Sequence, residues 1–153
     1  MSTIEAGVKA PDFILKDQQE KDVQLSSLAG KKVLLSFHPL AWTSVCAAQM
    51  KSLEANREKM EQYNTVALGI SVDAVPTKAA WAKELGIENT RLLADFWPHG
   101  GVAAAYGIFR DRNGFSERAN IIVDETGNVA FVKVYPISEL PDMQEILNQL
   151  EVL

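Results

Sequence analysis

Cys46 is the only cysteine among the 153 residues. It lies in "SFHPLAWTSVCAAQM", residues 36–50, behind Pro39 and Thr43 and at the head of a helix-like run. A free thiol is a few per cent ionised at neutral pH, and only its thiolate is a strong nucleophile or a target for oxidation. A helix start favours that anion through unpaired backbone N–H groups and the positive end of the helix dipole. Complete ionisation gains only about 30-fold, roughly 2 kcal/mol, so a fast enzyme must also hold its transition state. For attack on a peroxide this means donors fixed around both oxygens. The Thr43 hydroxyl can turn toward the same pocket as the sulfur, and Pro39 can shield it without donating. Each residue also has a plainer reading: Cys46 as a small buried hydrophobe, Thr43 as a helix cap, Pro39 as a turn.

The segments around the motif must position it. "FILKD" and "VQLSSL" read as short strands around the polar "QQEK", and "GKKVLLSF" as a strand covered on both faces. Pro39 holds His38 extended and ends that strand in a loop. "CAAQMKSLEANREKMEQYN" reads as one helix with Cys46, Met50, Leu53, Met60 and Tyr63 on one face and Thr43 or Ser44 as its cap. "TVALGISVD" is a buried strand, and "PTKAAWAKELG" a helix with Pro76 in its first turn and Gly86 at its end. "TRLLADF" reads as a strand, "GGVAAAYG" as a short helix, and "ANIIVDETGNVAFVKVY" as a hairpin. The tail spaces Met143, Ile146, Leu147, Leu150 and Leu153 as a helix. The order β-α-β-α-β-α-β-β-α implies an α/β fold over residues 1–153 as one domain, a mixed central sheet with helices on both faces. Ligand sites in such sheets lie beyond the carboxyl ends of strands, where residues 38–45 fall.

Fifteen basic and twenty acidic residues give a net charge of −5, scattered along the chain, which argues against nucleic acid or anionic membrane as partner. No stretch approaches a membrane span, and the N-terminus does not read as a signal peptide, so a reducing cytoplasm is expected. Two histidines and one cysteine, widely spread, make no metal signature, and no cofactor is expected.

"PLAWTSVC" fits the Pro-x-x-x-Thr-x-x-Cys pattern of the peroxiredoxins, with Pro39, Thr43 and Cys46 in register. "SVDAVPTKAAW" resembles the family's segment after its next strand. "LLADFWPHGGVAAAYGIF", followed by "RANIIVDETGNV", resembles the alkyl hydroperoxide reductase E branch, and the likeness runs from about residue 8 to residue 135. It implies a thioredoxin-like fold and a thiol-dependent peroxidase acting on hydrogen peroxide and organic hydroperoxides. Cys46 is then the attacking sulfur, and Thr43 and Arg118 hold the peroxide. Pro39 limits access by water. Without the resemblance, Arg118 reads as a solvated turn residue beside Glu117; Arg91, Arg110 and Arg112 are weaker candidates.

The chain departs from the family at Gln49, where a glutamate is common, and at His38, where an aromatic residue is common. Gln49 keeps a hydrogen bond to an arginine without adding charge, and His38 reads as a polar strand end rather than a base. His99 reads as a loop or interface residue. Trp42 is expected to wall the pocket and to report oxidation by its emission, with Trp81 and Trp97 as competing sources. One cysteine per chain leaves no separate resolving partner, so the sulfenic acid needs an external thiol: a low-molecular-weight thiol such as glutathione, thioredoxin or a glutaredoxin-like protein. The resemblance also implies a homodimer, with Phe37-His38, residues 40–42 and residues 97–100 expected at the contact. A thiol redox sensor or holdase chaperone would use the same cysteine without rapid turnover.

Overall fold

The structure is a computed structural model and describes residues 2–153. In chain order the strands are β1 (Ile14–Lys16), β2 (Asp22–Gln24), β3 (Lys32–Phe37), β4 (Thr65–Ser71), β5 (Arg91–Ala94), β6 (Phe109–Arg110), β7 (Phe115–Ser116), β8 (Arg118–Val123) and β9 (Val129–Tyr135). The helices are α1 (Ser44–Ala55), α2 (Arg57–Gln62), α3 (Val75–Leu85), α4 (Gly101–Ala105) and α5 (Met143–Val152), with a 3₁₀ turn at Leu25–Leu28. Seven strands form one sheet in the order β2-β1-β5-β4-β3-β8-β9. The inner pairs β3/β4 and β4/β5 are parallel, while β3/β8, β8/β9, β1/β5 and β1/β2 are antiparallel. This is the mixed sheet expected from the element order.

Strand alternation divides the core into two layers. Leu35 and Phe37 of β3 join Ile70, Leu93, Ala103 of α4, Tyr106, Ala119 and Ile121 on one face. Leu34 joins Cys46, Met50 and Leu53 of α1, Met60, Trp81 of α3, Leu92, Ile122 and the α5 residues Ile146, Leu147 and Leu150 on the other. Helices therefore cover both faces, with the larger share on the face that carries Cys46. All six residues of β3 are buried, as expected for a strand enclosed on both sides. Gly69 of β4 lies under α1, where a Cβ would run into Met50 Sδ and lie 2.9 Å from Leu92; the helix sits this close to the sheet because that position has no side chain. Gly86 ends α3 in the left-handed region at φ 70°.

Two features differ from expectation. The single helix read from residue 46 onward is broken at Asn56, whose backbone N–H and side-chain amide both donate to the Ser52 carbonyl, at 3.1 and 2.8 Å. The side chain competes for the helix's own acceptor, and a second helix restarts at Arg57. The small β6/β7 hairpin was not foreseen, because strands of two residues are too short to show alternation. Among the described residues no helix is long and apolar enough to cross a membrane.

Candidate active site

Cys46 occupies the first turn of α1. Thr43 is at the N-cap position, but its hydroxyl donates to the Leu40 carbonyl at 2.9 Å instead of capping the helix. Among the described residues no side chain caps α1, so first-turn N–H groups remain free to face an anion. Cys46 and Pro39 are buried, while Thr43 and Trp42 are exposed. The loop between Pro39 and α1 is tied down by Asp73, whose carboxylate accepts from Ala41 N at 2.8 Å and from the Ser71 hydroxyl.

Arg118 reaches the sulfur for a reason that starts in strand parity. Ala119 and Ile121 point into one core layer and Ile122 into the other, so Arg118 and Asn120 share the face of Ile122, toward α1. β3 pairs Phe37 with Ala119, which sets Arg118 beside the end of β3 where the cysteine loop begins. Its guanidinium is buried, and Nη1 donates to Cys46 Sγ at 3.4 Å and to Gln49 Oε1 at 2.7 Å. Nε and Nη2 donate to the Ile137 carbonyl at 2.9 and 2.7 Å. Of the five guanidinium N–H donors, one on Nη2 is without a partner among the described residues. Gln49 in turn donates to Ser36 Oγ at 2.7 Å and to the Phe37 carbonyl at 3.1 Å. The neutral amide thus anchors the arginine, as read from sequence, and uses its other end to clamp α1 to β3.

The other arginines lie elsewhere: Arg110 pairs with Glu117 at 3.1 Å, Arg91 is 3.8 Å from Asp17, and Arg112 is exposed. His99 Nε2 donates to the Gly114 carbonyl at 2.6 Å, as a loop residue. Trp42 is 55% exposed at φ 68°, whereas Trp81 is buried and packs its ring 5.4 Å from that of His38. Phe37 and His38, expected at a pairing surface, are fully buried instead. As part of an enclosed strand and its immediate extension, they have no outward face.

One site residue was missed. Lys78, which the sequence places only within a helix, is fully buried in α3, and its Nζ lies 2.8 Å from His38 Nε2 and 5.5 Å from the Trp81 ring. Burial pushes Lys78 down to about 7, against the pull of the Asp73 carboxylate and the Cys46 sulfur. Burial also carries His38 well below its ordinary value, helped by Lys78 and Arg118 and opposed by the Ser36 backbone. Among the described residues no partner reaches His38 Nδ1 in hydrogen-bonding geometry. A neutral imidazole can accept at Nε2 from the Lys78 ammonium, which leaves its own Nδ1–H buried without a partner. Helical periodicity gave no sign of this, because a lysine on a helix is ordinarily solvated.

Residues 6–132 match the family described as AhpC/TSA. An alkyl hydroperoxide reductase E of Mycobacterium tuberculosis is 38% identical over 142 residues, covering 92% of each chain. A putative peroxiredoxin, bcp, of Haemophilus influenzae is 32% identical over 153 residues, covering 96% of each. Among solved structures, the reduced 2-Cys peroxiredoxin of Plasmodium vivax superposes with a TM-score of 0.87 at 29% identity, covering 97% of this chain and 81% of that one. The fold is accordingly thioredoxin-like.

Proposed function

The chain belongs to the AhpC/TSA family of peroxiredoxins and is a thiol-dependent peroxidase, and from that premise we propose that Cys46 is the sulfur that attacks the peroxide. The observation that carries this reading is the 3.4 Å approach of Arg118 Nη1 to Cys46 Sγ inside the fold. A permanently charged guanidinium stabilises a sulfur anion there, with little water to screen it. The remaining Nη2–H offers a donor to a peroxide oxygen as negative charge develops. Thr43 Oγ1, whose own proton goes to Leu40, keeps lone pairs to accept the peroxide proton. Pro39 closes the sulfur off without competing as a donor.

In the first step the thiolate attacks the oxygen bearing the proton. An S–O bond forms, the O–O bond breaks, and hydroxide or alkoxide leaves and is protonated. Hydrogen peroxide and organic hydroperoxides both suit this step. A low-molecular-weight thiol, thioredoxin or a glutaredoxin-like protein then displaces water from the sulfenic acid to give a mixed disulfide, and a second thiol releases Cys46. One cysteine per chain makes the reductant external and suits a reducing, cytoplasmic compartment.

Stopped-flow mixing with one equivalent of hydrogen peroxide or an alkyl hydroperoxide tests this. The wild type should consume the oxidant far faster than a free thiol and form a trappable sulfenic acid. Cys46→Ser should abolish the reaction, and Arg118→Ala should slow it by about 10²–10³-fold, the usual effect of removing a transition-state donor. A wild type no faster than a free thiol would favour a redox sensor and end the peroxidase assignment.

A further inference from the structure

The loop that carries Pro39 and Thr43 is gripped by a residue that the proposed peroxide chemistry leaves unused. Asp73 follows β4, and its Oδ2 accepts both from Ala41 N, at 2.8 Å, and from the buried Ser71 hydroxyl. The Ala41 N–H and the Leu40 carbonyl are the two ends of one peptide unit, which is planar and trans, so they point in opposite directions. At its other end the Leu40 carbonyl accepts the Thr43 hydroxyl proton at 2.9 Å. A carbonyl can only accept, so this contact settles which way the threonine proton points. Carboxylate, peptide and hydroxyl thus form one hydrogen-bonded row. The row brackets a strained bend: Trp42, between Ala41 and Thr43, sits at φ 68°. A bulky residue enters that left-handed region only at a cost and stays there only where its surroundings impose it.

We infer that Asp73 is a positioning residue for Thr43: by fixing and polarising the Leu40–Ala41 peptide, it commits the Thr43 proton to Leu40 and leaves the Oγ1 lone pairs for the O–H of the peroxide. This rests on Cys46 being the peroxide-reacting sulfur, with Thr43 beside it. A charged acceptor on the N–H strengthens the bond made by the carbonyl at the far end, because hydrogen bonds in a row polarise one another. Without that hold the hydroxyl can rotate, and a rotamer that donates its proton toward the sulfur no longer presents a lone pair to the substrate. The guanidinium of Arg118 reaches the sulfur from β8 and does not pass through this row. The thiolate should therefore form as before when the row is weakened, and should react as before with a reagent that brings no O–H.

The test compares two reagents on the intact, reduced protein. Hydrogen peroxide has an O–H that needs an acceptor; iodoacetamide has none and is attacked at carbon by the same thiolate, with loss of iodide. Asp73→Asn keeps the size and an oxygen acceptor but removes the charge. It should slow the peroxide reaction by about tenfold and leave alkylation unchanged. Thr43→Val, which keeps the shape and removes the hydroxyl, should slow the peroxide reaction by about 10²-fold. In that background Asp73→Asn should cost nothing more, because a residue that acts through another is non-additive with it. Equal losses with both reagents would report a loosened loop and overturn the inference, as would a full further loss from Asp73→Asn in the Thr43→Val protein. Should Asp73→Asn not fold, amide hydrogen exchange in the wild type decides: Ala41 should be protected, and exchange at the rate of an unbonded amide overturns the inference. A wild type no faster with peroxide than a free thiol removes the reading of Cys46 itself, whatever the variants do.

Discussion

Arg118 divides its donors between anchoring and chemistry, and Gln49 governs the division. With two N–H groups on the Ile137 carbonyl and one on the Gln49 amide, the guanidinium is fixed before any substrate arrives. Preorganised donors owe their catalytic value to that fixity. Gln49→Ala would leave an Arg118 N–H, the Ser36 hydroxyl and the Phe37 carbonyl without their amide partner. The expected result is a loss of about 1–3 kcal/mol in urea unfolding, the typical penalty for unsatisfied buried polar groups. A fall of about tenfold in the stopped-flow peroxide rate should accompany it, as about 1.4 kcal/mol of misplacement would produce. Full activity in a destabilised variant would show that Ile137 alone anchors the arginine. The amide's role was legible from sequence because it depends on residue type and spacing. Lys78 was not, because its burial depends on where α3 lands, on the far side of β4.

Elements hold the site through contacts distant from it. Glu54, near the end of α1, accepts from the backbone N–H groups of Glu88, Asn89 and Thr90 and from the Thr90 hydroxyl, at 2.8–3.2 Å. Burial pulls this carboxyl up, but those donors outweigh it and bring Glu54 down to about 2. A folded value below the unfolded one means that the latch contributes fully above the unfolded value of about 4.5. Its contribution is lost as pH falls from there toward about 2. Glu54→Gln should therefore lower the melting temperature by about 2–4 °C at neutral pH. It should also flatten the pH dependence of unfolding across that acid window. Equal slopes for variant and wild type would assign the acid sensitivity to other carboxylates. Where helices and long strands lie could be read from periodicity, whereas the break at Asn56 and the capture of the 88–90 loop by Glu54 could not. Both depend on one side chain finding a backbone group that only the folded chain brings near.

At the scale of the whole molecule, three of the large apolar side chains left exposed fall together. Trp97 is 81% exposed, Ile14 58% and Phe96 51%, and these three side chains line one shallow hollow with Val75 and Ala94. A patch of this composition is better suited to a second protein surface than to water. We propose that it forms the centre of the homodimer contact implied by the family resemblance, with Leu40 and Trp42 as further exposed apolar residues on the cysteine loop. Trp97→Glu should shift size-exclusion chromatography with light scattering from dimer to monomer. An unchanged dimer would place the contact on another face.

Gly69 remains, a residue with no polar side chain and no part in the chemistry. Met50 rests against the spot where its side chain would be, one helical turn along from Cys46. A single methyl group added there would collide with Met50 Sδ and Leu92, forcing those side chains to repack beneath the helix while the sulfur, the guanidinium and the threonine all kept their identities. The packing beneath the cysteine helix is therefore a constraint of its own, set by a strand residue that no inventory of reacting groups would include.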